Sequence, residues 1–225
     1  MRRSARQTTE DHATTRKRLI EAAGSVFGEV GYRQARVRDI VRRAGANIAA
    51  INYHFGGKES LYAAAMRYGM EQVSMRPEPP DPALSPEHQL RALVHRLLQS
   101  MLDDRRPAWH GAMMAREMIE PTPMLNEVIE SVIRPMSDAF TRVVRVLIGA
   151  DVDKATLDLA VRSVIGQITF YKHGCEVIRR LYPDQPINAS AAEKLANHIA
   201  TFSLGGIQAI RAQHPPARRN RRRTS

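Results

Sequence analysis

The side chains able to do covalent or metal chemistry are few and scattered. Eight histidines occur, but no H-E-x-x-H, no G-x-S-x-G and no phosphate-cradling glycine loop accompanies them. His88 and His95 stand seven apart on one predicted helix, which suits a solvated or partner-facing stripe better than a metal site. Cys175 is the single cysteine, so neither an internal disulfide nor a Cys-only zinc site can form, and an inert buried thiol is expected despite its nearness to His173. The chemistry that the composition favours is charge and hydrogen bonding toward a polyanion. The chain has 34 Lys+Arg against 23 Asp+Glu, a net charge of +11. Residues 1–60 carry +6, residues 61–213 are neutral and residues 214–225 carry +5. A neutral body with basic ends points to a nucleic-acid module on a second domain.

The elements that must position these charges are helices. Aromatic residues are 5% of the chain and sustained apolar–polar alternation is nearly absent, so an all-α fold is expected. Thr14 or Thr15 can cap a first helix with Leu19, Ala22, Ala23, Val26, Phe27 and Val30 inward, stopping at Gly31. A short helix with Val37, Ile40, Val41 and Ala44 inward ends at Gly45. Asn47 is placed to cap another, with Ile48, Ile51 and Phe55 inward, broken by Gly56-Gly57. Lys58 opens the next, to about Val73, with Leu61, Ala65 and Tyr68 or Gly69 inward. Residues 76–86, RPEPPDPALSP, hold five of the 13 prolines and read as a stiff connector. Beyond it, helices are predicted over about Glu87–Leu102, Trp109–Ile119, Met124–Ile148 with a kink at Pro135, and Lys154–His173. A capping box Ser190-x-x-Glu193 starts the last, which ends near Ala212. The plan is a basic flexible arm (1–13), a three-helix helix-turn-helix domain (14–75), the connector (76–86), a second helical domain (87–212) and a basic disordered tail (213–225).

Two short helices joined through Gly45 beside a longer one form a helix-turn-helix pattern. With Ile48, Ile51 and Phe55 inward, steps of about 100° per residue turn Asn47, Ala49, Ala50, Tyr53 and His54 outward, with Asn52 on the flank. Small residues at Ala49 and Ala50 suit a helix pressed into a major groove. Arg38 can reach a guanine edge bidentately or a phosphate. Lys58 in a first turn opposes the helix dipole by ~0.3–1 kcal/mol. Its place makes sense if a phosphate docks there among the free N–H groups; the alternative is pairing with Glu59 or Glu29. The tail arginines, Arg218, Arg219 and Arg221 to Arg223, are either a solubilising end or a phosphate-binding arm without sequence choice.

The stretch AGSVFGEVGYRQARVRDIVRRAGANIAAINYHFGGKESLY resembles the N-terminal domain of the tetracycline-repressor (TetR) family of bacterial transcription regulators, over about residues 14–68. It holds A-x-x-x-F-x-x-x-G-Y, then R-D-I-V-x-x-A-G, then Y-H-F-G-G-K-E-x-L-Y. The resemblance implies a homodimer whose third helix enters the major groove of a palindromic operator on double-stranded DNA, and a second domain that binds a small effector. Position by position, it puts Tyr53, His54 and Lys58 on phosphates, and Arg38, Asn47, Ala49 and Ala50 on or near base edges. Arg36 stands where the family usually has Ser or Thr touching phosphate, so that contact must differ, and Asn52 replaces a more usual tyrosine, which leaves the base preference there open. NIAAINYHF, REMIEPTPML and Arg134-Pro135 are similar to the CecR-type branch of the family.

In the second domain, Met101, Trp109, Met113, Met114 and Met118 form a soft cluster suited to an irregular apolar ligand, although any one of them serves equally as gap-filling core. Phe140 joins the expected effector site, with Arg116, Glu117, Gln167, Tyr171 and His173 as polar anchors. Leu195, Ile199, Phe202 and Gly206 share one face of the last helix, with Gly205-Gly206 allowing close approach; that face meets either a dimer partner or its own core. Pro135 is expected to act as a hinge. The expectation is a ligand-released repressor in the cytoplasm, without catalytic residues, cofactor, metal or membrane partner. The basic N-terminus lacks a following apolar stretch, so no secretory signal is expected. The alternatives are an activator, a regulator without an effector, and a helical enzyme or carrier with polyanion-binding ends.

Overall fold

A computed structural model of the chain describes residues 2–71, 80–103, 107–185, 187–188 and 191–215, with side chains from residue 12 onward. Among the described residues there are helices and turns but no strand. The elements are α1 (Arg2–Gln34), α2 (Val37–Ala44), α3 (Ile48–Phe55), α4 (Lys58–Glu71), α5 (Pro86–Leu102), α6 (Ala108–Ile119), α7 (Met124–Val128), a π-helical turn (Ile129–Ile133), α8 (Arg134–Ile148), α9 (Lys154–His173), α10 (Cys175–Leu181) and α11 (Ala192–Gln213). The chain forms two units: Met1–Met75 with Asp104–Ile129, and Arg76–Asp103 with Glu130–Ser225. The chain therefore passes between the units three times, at the proline segment as expected and again before α6 and after α7, which return to the first unit.

In the first unit, α1 begins at Arg2 in place of the expected cap at Thr14 or Thr15, so a helix stands where a flexible arm was expected. No glycine or proline lies upstream of those threonines to stop it. Gly31 adopts φ +80°, a value that breaks the helix and suits glycine. Leu19, Ala23, Val26 and Phe27 are buried with Ile40, Ile51, Leu61, Ala65 and Met66, each large side chain contributing ~1.5–3 kcal/mol. Phe27, Tyr32 and Tyr62 meet edge to face at 4.9 and 5.1 Å around Tyr62. Val30, expected inside, is 39% exposed.

Helix α6 is fastened to α1 and α4 through missing side chains. A methyl at Gly24 would lie 2.5 Å from Cε2 and Cε3 of Trp109, and one at Gly69 would overlap the His110 ring. Trp109 also stacks along Tyr68. Arg116 then donates from Nε to the Gly28 carbonyl at 3.0 Å and from its terminal nitrogen to the Glu29 carbonyl at 2.6 Å, satisfying acceptors near the end of α1. Glu117 is buried; one oxygen accepts from the Tyr62 hydroxyl at 2.5 Å, the other from the Thr122 N–H and hydroxyl at 2.7 and 2.9 Å. Burial and that carboxylate raise the Tyr62 pKa well above the usual phenol range.

The second unit packs α5, α8, α9 and α11 around one core, with Leu90, Val94, Leu98, Phe140, Val144, Val161, Val164, Ile168 and Ile199 inside. Pro86 opens α5 behind Ser85, and Asp153 caps α9 by accepting from the Thr156 N–H at 2.9 Å. The kink expected at Pro135 takes the form of the π turn directly before it. Proline has no N–H to give the preceding turn, and a wider turn absorbs the loss. Helix α10 lies in a stretch left unassigned by periodicity. Residues 76–79 of the proline connector, Ser190 of the capping box and the tail from 216 lie outside the described residues.

Candidate nucleic-acid interface

Local chemistry sets the direction in which α3 faces. Gly45 ends α2 in the left-handed region, φ +58°. The Arg18 guanidinium of α1 grips the Ala44 carbonyl and donates to the Gly45 carbonyl at 2.8 Å, so the turn is tied to α1. Asn47 caps α3, its Oδ1 accepting from the Ala50 N–H at 2.9 Å; such a cap contributes ~1 kcal/mol. Gly56, at φ +75°, closes the far end. Between these stops Ile51 is buried and Phe55 half-buried. Ile48, expected inward, is 47% exposed. In steps of about 100° it shares the flank of Ile51 on which Phe55 lies, but it opens α3, and at the first turn of a two-turn helix no further element covers that flank.

That placement leaves Asn47, Ala49, Asn52 and Tyr53 exposed, with Ala50 and His54 half-buried. On and before α2, Arg36 and Arg38 are exposed and carry no ion pair among the described residues. Their neighbours are neutralised: Arg42 by Asp39 at 2.8 Å, and Arg43 by Glu29 through a fork at 2.6 and 3.0 Å. The Arg43 fork holds the Glu29 carboxyl below its usual range. Lys58 takes neither acidic partner expected for it. Its ammonium lies 4.7 Å from the Tyr32 ring centroid and 3.4 Å from the Arg33 carbonyl, and partial burial lowers its pKa. The face is thus one of neutral and cationic donors around a short helix, a surface for phosphates and base edges.

Residues outside the expected set join it. His12 of α1 lies with its ring centroid 5.7 Å from that of Tyr53 and 5.8 Å from that of His54, which are themselves 5.0 Å apart. Arg16, one turn on, sits over the Phe55 ring at 5.4 Å. Burial, then the charges of His12 and Arg16, lower the His54 pKa. The signal for this pair was the one-turn spacing of His12 and Arg16, hidden by starting the helix at Thr14.

The nine residues expected for the effector divide between the units. Trp109, Met113, Met114, Glu117 and Met118 lie on α6 in the first; Met101, Phe140, Gln167 and Tyr171 lie in the second. Met113 is buried, Glu117 is fully engaged as described, and Met118 is 49% exposed. Phe140 is core, and the Gln167 amide donates to the Ser163 carbonyl and the Ser203 hydroxyl, each at 3.2 Å. Of the expected interface, Ile199 is buried in its own unit's core and Leu195 packs against it, while Phe202 and Gly206 are exposed. The Cys175 thiol, expected buried, is exposed; it opens a short helix whose single buried residue is Ile178. Among the described residues no group of three His, Cys, Asp or Glu could hold a metal ion, and no helix is long and apolar enough to cross a membrane.

Two family models match the chain: "Bacterial regulatory proteins, tetR family" over residues 19–65, and the C-terminal domain of "HTH-type transcriptional dual regulator CecR" over residues 86–207. The HTH-type transcriptional dual regulator CecR of Shigella flexneri is 33% identical over 177 residues, 72% of this chain and 78% of that one. Among solved structures, the hemolysin II transcriptional regulator HlyIIR aligns with a TM-score of 0.58 at 17% identity, covering 85% of this chain and 97% of that one. The transcriptional regulator FadR from Bacillus subtilis, solved in complex with stearoyl-CoA, aligns at 0.57 and 16%, covering 84% and 98%.

Proposed function

The chain belongs to the TetR family of bacterial transcription regulators, with a C-terminal domain of the CecR type, and on that premise we propose that it is a cytoplasmic repressor that binds a palindromic operator as a homodimer and is released by a small apolar or amphipathic effector. The observation that carries the DNA contact is the face of α3. Asn47, Ala49, Ala50, Asn52 and Tyr53 are turned out from an anchored helix beside Arg36 and Arg38, which have no carboxylate partner among the described residues. In this reading Asn47, Ala49, Ala50 and Arg38 approach base edges, while Tyr53, His54, Lys58 and Arg36 hold phosphates.

One helix-turn-helix reads too few base pairs, so two are joined by two-fold symmetry about 34–36 Å apart. The dimer surface proposed is the outward side of α9 and α11. Leu159, Phe170 and Phe202 are 57–67% exposed there, and Gly166, Gly205 and Gly206 have open space above them. Phe202 and Gly206 keep the role expected of them; Leu195 and Ile199 serve the core. For the effector, Met101 and Tyr171 pack against the second unit's core, of which Phe140 is a member, and the half-buried Gln167 donates to Ser203. On α6, Met114 and Met118 are the partly open methionines. A ligand that displaced α6 would pull α1 through Trp109 and Arg116. Effector control is supported by a solved relative of similar fold that holds stearoyl-CoA.

The test is capture of fragmented source DNA by the purified protein in ~150 mM salt, which suppresses nonspecific binding. Sharp peaks sharing a palindrome, winning over random DNA by ~10³ or more, are the expected result. Diffuse occupancy without a shared motif would overturn the operator.

A further inference from the structure

We infer that His12 of α1 belongs to the DNA interface, where it forms with His54 a phosphate site that takes up a proton as DNA binds. The inference rests on the DNA-binding function proposed above and adds to it a residue outside the helix-turn-helix. Two imidazoles with centroids 5.8 Å apart share the ring of Tyr53 between them, and Tyr53 is 74% exposed beside them. The charged groups on the elements around α3 include Arg16, Arg18 and Glu29 on α1, Arg36 before α2, Arg38, Arg43 and the Asp39–Arg42 pair on α2, and Lys58 and Glu59 on α4. Besides His12, Arg16 is the one whose charge acts on His54. Lys58 is turned to Tyr32, and Asp39 to Arg42. His54, beside a second imidazole and an arginine, stays neutral more readily than it would beside a carboxylate, because each added positive charge opposes the next.

A phosphodiester reverses that balance. Brought against the pair, it supplies a negative charge beside the rings and favours the protonated imidazole as a charge-assisted donor. Binding and protonation are then linked, and affinity rises as pH falls through the histidine range. Each proton fully taken up on binding contributes up to about tenfold in affinity per pH unit. Phosphates are independent of sequence, so the effect is readable on any duplex.

The experiment measures the affinity of the full chain for a random-sequence duplex of ~30 bp at constant ionic strength, from about pH 8 to about pH 6. It compares the natural chain with His12→Gln, His54→Gln and, as control, His95→Gln. The natural chain and His95→Gln are expected to tighten by about three- to tenfold more than His12→Gln across that range, with His12→Gln within about twofold of the natural chain at the alkaline end. Calorimetry in buffers of differing ionisation enthalpy should give a larger proton uptake for the natural chain than for His12→Gln. Equal pH slopes for the natural chain and His12→Gln, or a loss that is the same at every pH, would overturn the site while leaving DNA binding intact. Absence of salt-dependent binding by the natural chain at any pH would overturn the DNA-binding function itself, and the proton site with it.

Discussion

Replacing Gly24 by alanine sets two well-measured effects against each other. Gly24 lies inside α1, and alanine in a helix interior is favoured over glycine by about 0.5–1 kcal/mol. The notch that holds Trp109 opposes this, since the new methyl would come within 2.5 Å of the indole carbons Cε2 and Cε3. Overpacking of that kind costs about 1–3 kcal/mol. The steric effect is larger, so Gly24→Ala is expected to destabilise the chain by about 0.5–2 kcal/mol, the opposite sign from propensity. A second background isolates the cause. With Trp109→Leu the notch is empty, and Gly24→Ala should then stabilise by about 0.5–1 kcal/mol, a coupling that a double-mutant cycle reads directly. Urea unfolding followed by helix circular dichroism supplies the four stabilities. Trp109 is the one tryptophan in the chain, so a red-shifted, more quenchable emission in Gly24→Ala would report its displacement. Stabilisation by the same amount in both backgrounds would refute the packing of α6 into α1.

Three further outcomes test other contacts. Tyr62→Phe removes the donor on one oxygen of buried Glu117 and should cost about 1–3 kcal/mol by urea unfolding, since the carboxylate loses a partner where water cannot replace it; an unchanged midpoint would discount the contact. Lys58→Ala should weaken binding to all duplexes by a similar factor and lower the salt slope by about 1, whereas changes at Asn47 or Ala50 should alter which sequence is preferred. A changed preference in Lys58→Ala would misplace the helix. The Arg67 fork at 2.6 Å holds the Glu127 carboxyl below its ordinary value of 4.5. The pair therefore contributes stability above that value and loses it as pH falls through the lowered one. Carbon-detected titration of Glu127 should move upward in Arg67→Gln, and an unmoved midpoint would remove the ion pair.

The parts of the fold that were legible in sequence are those set by neighbours a few residues away. Asn47 as a cap, Gly45 as a left-handed stop and Lys58 as a helix opening each depend on one turn of chain, and each stands where expected. The inward faces of α5 and α9 followed from periodicity, because a long helix averages over several turns. Ile48 and Val30 failed at helix ends, where a side chain on the apolar stripe has no element to cover it. Long-range contacts left weaker traces. Arg18 lies 26 residues from the carbonyl it grips, and Tyr62 lies 55 from Glu117, separations at which no local pattern operates. Trp109 and the α6 methionines looked like a ligand cluster because softness is common to pockets and cores. The glycines at 24 and 69 were the clue to the second role, since each is a gap on a helix face that an aromatic ring fills.

The interleaving of the two units has a consequence for how the protein is made. A ribosome delivers α1 to α4 first, then α5, which belongs elsewhere, and only then α6. During that interval the Gly24 notch of the nascent chain has no tryptophan to receive and Tyr62 no carboxylate. Translation at roughly 5–20 residues per second makes the wait a few seconds. The N-terminal unit therefore cannot complete itself as a leading domain, and a gene fragment ending at the proline segment would encode a reading head without its back wall.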